Sequence, residues 1–342
     1  MRCPVCGGDC VTEAHEILEQ LPGIFSPCPG CRARILNKRL PLADLSFETP
    51  CTCGKRYIDE VFAQIYVIMI ENEILSGTDP LKAVGMPLIH PGFVMQDPPY
   101  LPKQSLVLLS PRVTPETAGR IIREVPEVRG VVRSGDFVPG VLDTDLTRSP
   151  AVYELLSGCD VRADIFSSTQ GSLVLYKQQS LIHIEFPRSS NPKIVAVEEA
   201  VHRSLPSWFV DACSGIGTLG LTAARMGIPH VVLNDAWYAA SFWAGYNLWV
   251  NREFFQVDSV EMVKEYEAMK QHPVGHEPTQ VAVASGEQEI IVYQGDFNEL
   301  YRVLPKKPVL AVIDLFEKEN RVAADRIKRN WMEHVAGEVF IP

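Results

Sequence analysis

Trp208-Phe209-Val210-Asp211-Ala212-Cys213-Ser214-Gly215-Ile216-Gly217-Thr218-Leu219-Gly220 is the stretch on which the fold turns. An apolar run closed by a carboxylate, followed by three glycines at GxGxxG spacing, predicts a strand, a tight turn and a helix whose N-terminus faces a ligand. Glycine suits such a turn because backbone without a Cβ can come close to the ligand. The spacing by itself also suits a dinucleotide site. What departs from that reading is Asp211, since a dinucleotide fingerprint would carry its apolar run up to the first glycine.

The segments that follow repeat the pattern of a strand ending in a polar residue. His230-Val231-Val232-Leu233-Asn234-Asp235 ends in a carboxylate that can accept both hydroxyls of a ribose. IIVYQ (290–294) delivers Gly295-Asp296, where Asp296 can accept an adenine amino group, and VLAVIDLF (309–316) presents Asp314. Together these residues resemble the class I S-adenosylmethionine-dependent methyltransferases. Across 190–342 the chain is most similar to the archaeal-type tRNA guanine methyltransferases, whose second motif resembles Asn234-Asp235 and the following helix with Asn247 and Asn251. The resemblance implies an α/β, Rossmann-like methyltransferase sheet with S-adenosyl-L-methionine as cofactor. It further implies Asp211, Gly215, Gly217, Asp235, Asp296 and Asp314 as cofactor-binding residues; Ser214 in the glycine turn is a further candidate, and Trp237, just after the second motif, is placed to flank the adenine.

Three departures accompany the likeness. Enzymes that methylate amino groups usually carry a (D/N)PP(Y/F) or DPF-type fourth motif, whereas this chain has Asp314-Leu315-Phe316-Glu317, with no proline. Asp314 and Glu317 are the carboxylates best placed to accept a proton, and are the candidate catalytic residues. The fifth strand, GEVFI (337–341), is not followed by the usual closing hairpin, so the sheet is expected to be abbreviated or covered at that edge by another domain. Between the second-motif helix and the third strand, residues 252–288 are expected to hold a charged helix (258–271) and a solvated His272-Pro273-Val274-Gly275-His276 loop.

At the other end, seven of nine cysteines fall in the first 53 residues. Cys3-Pro4-Val5-Cys6 and Cys28-Pro29-Gly30-Cys31 are CxxC knuckles, and Cys51-Thr52-Cys53 is a tighter third. Such turns let two thiolates reach one tetrahedral zinc ion, so Cys3, Cys6, Cys10, Cys28, Cys31, Cys51 and Cys53 are read as structural zinc ligands. Two pairings fit: Cys28, Cys31, Cys51 and Cys53 in one site with Cys3, Cys6, Cys10 and His15 in another, or a single ion shared by Cys3, Cys6, Cys28 and Cys31. Cys159 and Cys213 stand in apolar stretches and are read as core thiols. A small basic cluster, Arg32, Arg34, Lys38 and Arg39, follows the second knuckle.

The domain order expected is a zinc-ribbon-like module (1–60), a helix with a Pro-rich linker (61–103), a small α+β domain (104–188) and the methyltransferase domain (189–342). In the α+β domain, Thr114-Pro115 caps a helix between two strands, a second helix is expected at 149–157, and GSLVLYK and SLIHIEF form a hairpin around Gln178-Gln179 carrying His183. No run approaches a membrane span and nothing marks a secretion signal, so the cytoplasm is expected. A net charge of −10 gives no general attraction for phosphate backbones. With the near-neutral head and the missing amine motif, that charge points to a protein side chain as methyl acceptor. The resemblance supplies the alternative, tRNA. The zinc-headed layout also resembles archaeal methyltransferases linked to methanogenesis, which implies methyl-coenzyme M reductase as target. A reading from another class is a non-catalytic zinc-ribbon adaptor.

Overall fold

The computed structural model describes residues 2–315 and 321–342. The chain forms two compact units, one of residues 1–138, 152–164 and 178–186, the other of 139–151, 165–177 and 187–342. The segments 1–60, 61–103 and 104–138 thus lie within one unit. None of the described helices is long and apolar enough to cross a membrane.

In the first unit, α1 (Ala14–Ile24) is followed by β1 (Arg56–Tyr57) and α2 (Ile58–Glu71). Helix α2 is apolar on nearly all sides because nearly all of it is buried, with Val61, Ile65, Tyr66 and Met69 in the core. Its two buried carboxylates, Asp59 and Glu60, are satisfied from the cysteine-rich segment. Arg34 Nε donates to Glu60 at 2.6 Å, and Lys38 pairs with Asp59. Two members of the basic cluster expected on the head are therefore used inside the unit. Next come β2 (Met86–Ile89), β3 (Tyr100–Leu101), β4 (Leu106–Ser110), α3 (Pro115–Glu124), β5 (Val128–Arg133) and β6 (Glu154–Gly158). The sheet order is β2-β4-β5-β6, with β3 paired to β1. As expected, Thr114 caps α3, accepting from Thr117 N with Pro115 in the first turn.

Three expectations fail here. The Pro-rich segment is not irregular throughout, since β2 and β3 lie in it. Pro87 fits in β2 because β2 is an edge strand, which needs donors on one side only. Residues 149–157 hold no helix, because Glu154–Gly158 completes the edge of β5 instead, pairing Leu155 with Val132. The hairpin forms one strand earlier, between β7 (Val161–Ser168) and β8 (Gly171–Gln178), and His183 lies outside any strand. Thr169-Gln170 makes the tight turn, with Gly171 at φ +108°.

The second unit takes in segment 139–151 and the tip of that hairpin and continues with α4 (Pro192–Ser204), capped by Asn191. Then follow β9 (Trp208–Asp211), α5 (Thr218–Arg225), β10 (His230–Asp235), α6 (Tyr238–Val250), β11 (Val257–Met262), α7 (Tyr266–Met269), β12 (Thr279–Gly286), β13 (Glu289–Gln294), β14 (Val309–Val312), α8 (Arg321–His334) and β15 (Gly337–Phe340). The sheet order is β11-β12-β13-β10-β9-β14-β15. From β13 to β15 every pairing is parallel, a doubly wound sheet whose strand order reverses between β9 and β14. The inserted segment is not the expected charged helix. It adds β12 and β11 antiparallel beyond β13, with only the short α7 between them. Seven strands result, two of them added beyond β13 by the inserted segment.

Asn247 and Asn251 on α6 are fully buried and act as strand substitutes for the hairpin tip. Asn247 accepts from Tyr176 N (2.7 Å) and donates to the carbonyls of Tyr176 (2.9 Å) and Ile216 (3.0 Å). Asn251 likewise accepts from Val174 N and donates to Val174 O. Asn247→Ala leaves buried backbone groups unpaired and is expected to lower unfolding stability by about 3 kcal/mol. Denaturant unfolding checks this, and a loss below about 0.5 kcal/mol would show that the amide does not hold the hairpin.

Candidate cofactor site and cysteine clusters

In an open doubly wound sheet, ligands bind outside the carboxyl ends of the strands at the point where strand order reverses. Asp211 ends β9 and Asp314 follows β14, so both flank that point. The turn after β9 is shaped by two glycines. Gly217 caps α5 at φ +98°, and a Cβ on Gly220 would lie 2.6 Å from Leu233 Cγ, so the helix can approach β10 only there. Gly215, by contrast, faces open space.

Buried polar groups hold the strand ends in place. Asn234 donates from its amide to the carbonyls of Ala212 (3.0 Å) and Gly295 (2.9 Å), joining the ends of β9, β10 and β13. Asp235 accepts from Gly215 N (2.9 Å) with one carboxylate oxygen and from Trp237 N (2.8 Å) with the other. Asp211 accepts from Gly220 N (2.7 Å) through Oδ2, while its fully buried Oδ1 has no partner among the described residues. Ser214 N donates to Asn234 O (2.7 Å). Asp296 caps the short helix 297–302, accepting from Asn298 N (2.9 Å). Trp237 is buried at the start of α6.

The structure brings in two residues that sequence reasoning missed. Lys193 Nζ pairs with Asp314 Oδ2 at 2.6 Å. Its signal was its place in the first turn of the Asn191-Pro192-capped helix. Asp143, from segment 139–151, stands close enough to Asp235, Asp314 and Asp296 for their charges to act on it, and no motif marks it. Glu317, the other expected catalytic residue, lies outside the described residues.

Burial dominates the electrostatics. It pushes the Asp211 carboxyl up to about 8, with the Gly220 N–H opposing and the Asp314 charge adding. It pushes Asp235 up to about 7 against the N–H groups of Trp237 and Gly215. Burial, then the charge of Asp235, raises Asp143 well above the carboxylate range. Burial thus disfavours the ionised forms of these carboxyls, and a cation placed beside them would favour those forms; among the described residues Asp211 Oδ1 has no hydrogen-bond partner.

The head cysteines gather into two groups in the first unit, each with all four sulfurs within 4.8 Å of one another. Cys28, Cys31, Cys51 and Cys53 form one. Cys3, Cys6 and Cys10 form the other, completed by Cys159 and not by His15, whose ring lies 3.9 Å from Glu13. The single shared site is not what the structure shows, and Cys159 is not an isolated core thiol. Cys213 is buried alone, as expected. Neither His272 nor His276 joins such a group among the described residues.

No protein-family model matches the chain, and no curated protein does. Among solved structures it is similar to Trm1 from Pyrococcus horikoshii in complex with S-adenosyl-L-methionine, at 21% identity over 44% of this chain and 36% of that one, with a TM-score of 0.31. TYW2 from P. horikoshii in complex with MeSAdo is similar at 17% identity, over 79% of this chain and 88% of that one, with a TM-score of 0.38. The aTrm5 of a complex with tRNALeu is similar at 15% identity over 73% and 56%, with a TM-score of 0.35. The chain spans about a third of the length of Trm1 and just over half that of aTrm5. The reading of the fold rests on the strand order and the strand-end residues themselves.

Asp211 and Asp235 make stability fall as pH rises. From about pH 4 the unfolded chain ionises these carboxyls while the folded chain keeps them protonated up to about 8 and 7 respectively, so unfolding releases protons across that window. The stabilisation is complete below the unfolded value and lost by the folded one. Asp211→Asn, which cannot ionise, is expected to flatten the decline and to be more stable than the native protein at pH 8.5. Melting temperatures between pH 5 and 9 check this, and parallel curves for the two proteins would refute it.

Proposed function

We propose that the second unit binds S-adenosylmethionine and that the protein is a methyltransferase acting on a macromolecule. The observation that carries the reading is the buried carboxylate set at the switch point, with Asp211 Oδ1 unpartnered. A dinucleotide's pyrophosphate would repel these carboxyls once ionised, whereas S-adenosylmethionine brings a sulfonium and an ammonium that favour their ionised form. Once bound, it supplies a methyl group activated by the positive sulfur.

The residues fit the parts of that molecule. Asp211 would take the ammonium, Asp235 the ribose hydroxyls, Asp296 the adenine amino group, and Trp237 would flank the adenine. Ser214, Gly215 and Gly217 shape the turn against it. Asp314 is the group we assign to the acceptor's proton, and the Lys193 ammonium holds that carboxylate in position. A non-catalytic adaptor would gain nothing from keeping so many carboxylates buried at one place.

Titration calorimetry tests the cofactor. Binding a cation ionises carboxyls that the free protein keeps protonated, so at pH 6.5 S-adenosylmethionine is expected to release protons, and its affinity to rise up to about pH 8. Asp235→Ala should weaken binding at least tenfold, about 1.4 kcal/mol. No heat of binding to the native protein would end the reading. For the acceptor, tRNA is the class to test first, being the partner named with aTrm5. A labelled methyl group transferred in a cell extract should be released by RNase. Release by protease instead would make the acceptor a protein side chain.

A further inference from the structure

The four sulfurs of the first cysteine group surround one point. Cys3 lies 3.8 Å from Cys159, Cys10 3.6 Å from Cys159, and Cys6 3.4 Å from Cys10. A disulfide would need about 2.05 Å. A tetrahedron of sulfurs at about 2.3 Å from a central zinc ion has edges of about 3.8 Å. The same holds for the second group, where Cys28 lies 3.6 Å from Cys51 and Cys31 3.5 Å from Cys53. With all sulfurs of a group within 4.8 Å of one another there is room for one ion and none for a multi-iron cluster.

The backbone is arranged to put Cys159 there. It follows Gly158, whose φ of +79° turns the chain out of β6, and its N–H donates to Arg129 O at 2.7 Å. On the facing strand, a Cβ on Gly130 would stand 2.4 Å from Cys159 O, so a larger residue there would push the cysteine away. On the other side, Gly7 N donates to Cys3 O and Cys3 N to Gly8 O, both at 2.9 Å, closing the knuckle. Arg129 Nη2 reaches Cys10 O at 3.4 Å. Cys3 and Cys159 are both buried. Three neighbouring thiols and a fourth from 149 or more residues away, two of the four out of water, have no packing reason to converge with this spacing.

We propose that Cys159 is the fourth ligand of a structural zinc ion held with Cys3, Cys6 and Cys10, so that the protein carries two zinc ions of different kinds. The ion at Cys28, Cys31, Cys51 and Cys53 is local, with its ligands within 25 positions of one another. The ion at Cys159 closes a loop of most of the first unit and forms only once β5 and β6 have paired, fastening the N-terminal knuckle to that sheet. The proposal is independent of the methyl donor and of the acceptor.

Metal analysis of the full chain tests it. The native protein should hold two zinc ions, and Cys159→Ser one, or two with one lost at least tenfold faster to a chelator. Cys213→Ser, at the cysteine outside both groups, should keep both. Where Cys159→Ser does not fold, zinc-edge X-ray absorption of the native protein decides, with four sulfur neighbours per zinc expected. One zinc in the native protein, iron in its place, an average below four sulfurs, or a Cys159→Ser protein with two equally retained ions would each overturn the proposal.

Discussion

Asn234 and Asp235, adjacent at the end of β10, fix the geometry of everything proposed for the second unit. The Asn234 amide, donating to carbonyls beyond β9 and β13, sets the relative height of three strand ends. The Asp235 carboxylate then ties the glycine turn on one side to the start of α6 on the other. Neither job could be done by an apolar side chain, because each satisfies backbone groups that the sheet itself leaves unpaired. Asp235 is thereby fixed in place by bonds that still leave lone pairs for a ligand.

That arrangement carries a cost. Asp211 and Asp235 are buried, Asp143 is half-buried near Asp235 and Asp314, and their raised titration shows that the free protein resists having them all charged. Lys193 offsets part of this through Asp314. Near neutral pH the free protein meets the rest by holding those carboxyls protonated, and a cation beside them would favour the ionised form, so charge and proton binding at this place are linked.

The parallel sheet was legible because its strands are short apolar runs ending in carboxylates, and the caps of α3 and α4 because Thr114-Pro115 and Asn191-Pro192 act locally. The insertion was misread for the opposite reason. Its charges suggest a helix, but residues 257–262 are half exposed on an edge strand, where alternate side chains meet solvent and charge is tolerated. Residues 154–158 and the β7–β8 hairpin were misplaced because pairing with a distant strand outweighs weak local preference. Lys193 and Asp143 carry no signature of their own, since their importance comes from what the fold sets beside them. Cys159 did leave a trace: Cys3, Cys6 and Cys10 are three thiols where a tetrahedral ion needs four.

The two ends of the β11 to β15 sheet follow from one constraint. A parallel sheet exposes backbone donors and acceptors at each border, and an uncovered border invites pairing with another chain. Beyond β13 the insertion meets this by adding β12 and β11 antiparallel, and β11 then forms the edge with Asp258, Ser259 and Glu261 facing solvent. At the other border β15 is only four residues long and half exposed, with Glu338 paired to Arg203 of α4. Short length and a charged side chain are the means by which an edge strand avoids becoming a template. The ends of β9, β10 and β14, which carry the candidate site residues, sit at the centre of the sheet, away from both borders, so the insertion could be added without moving them.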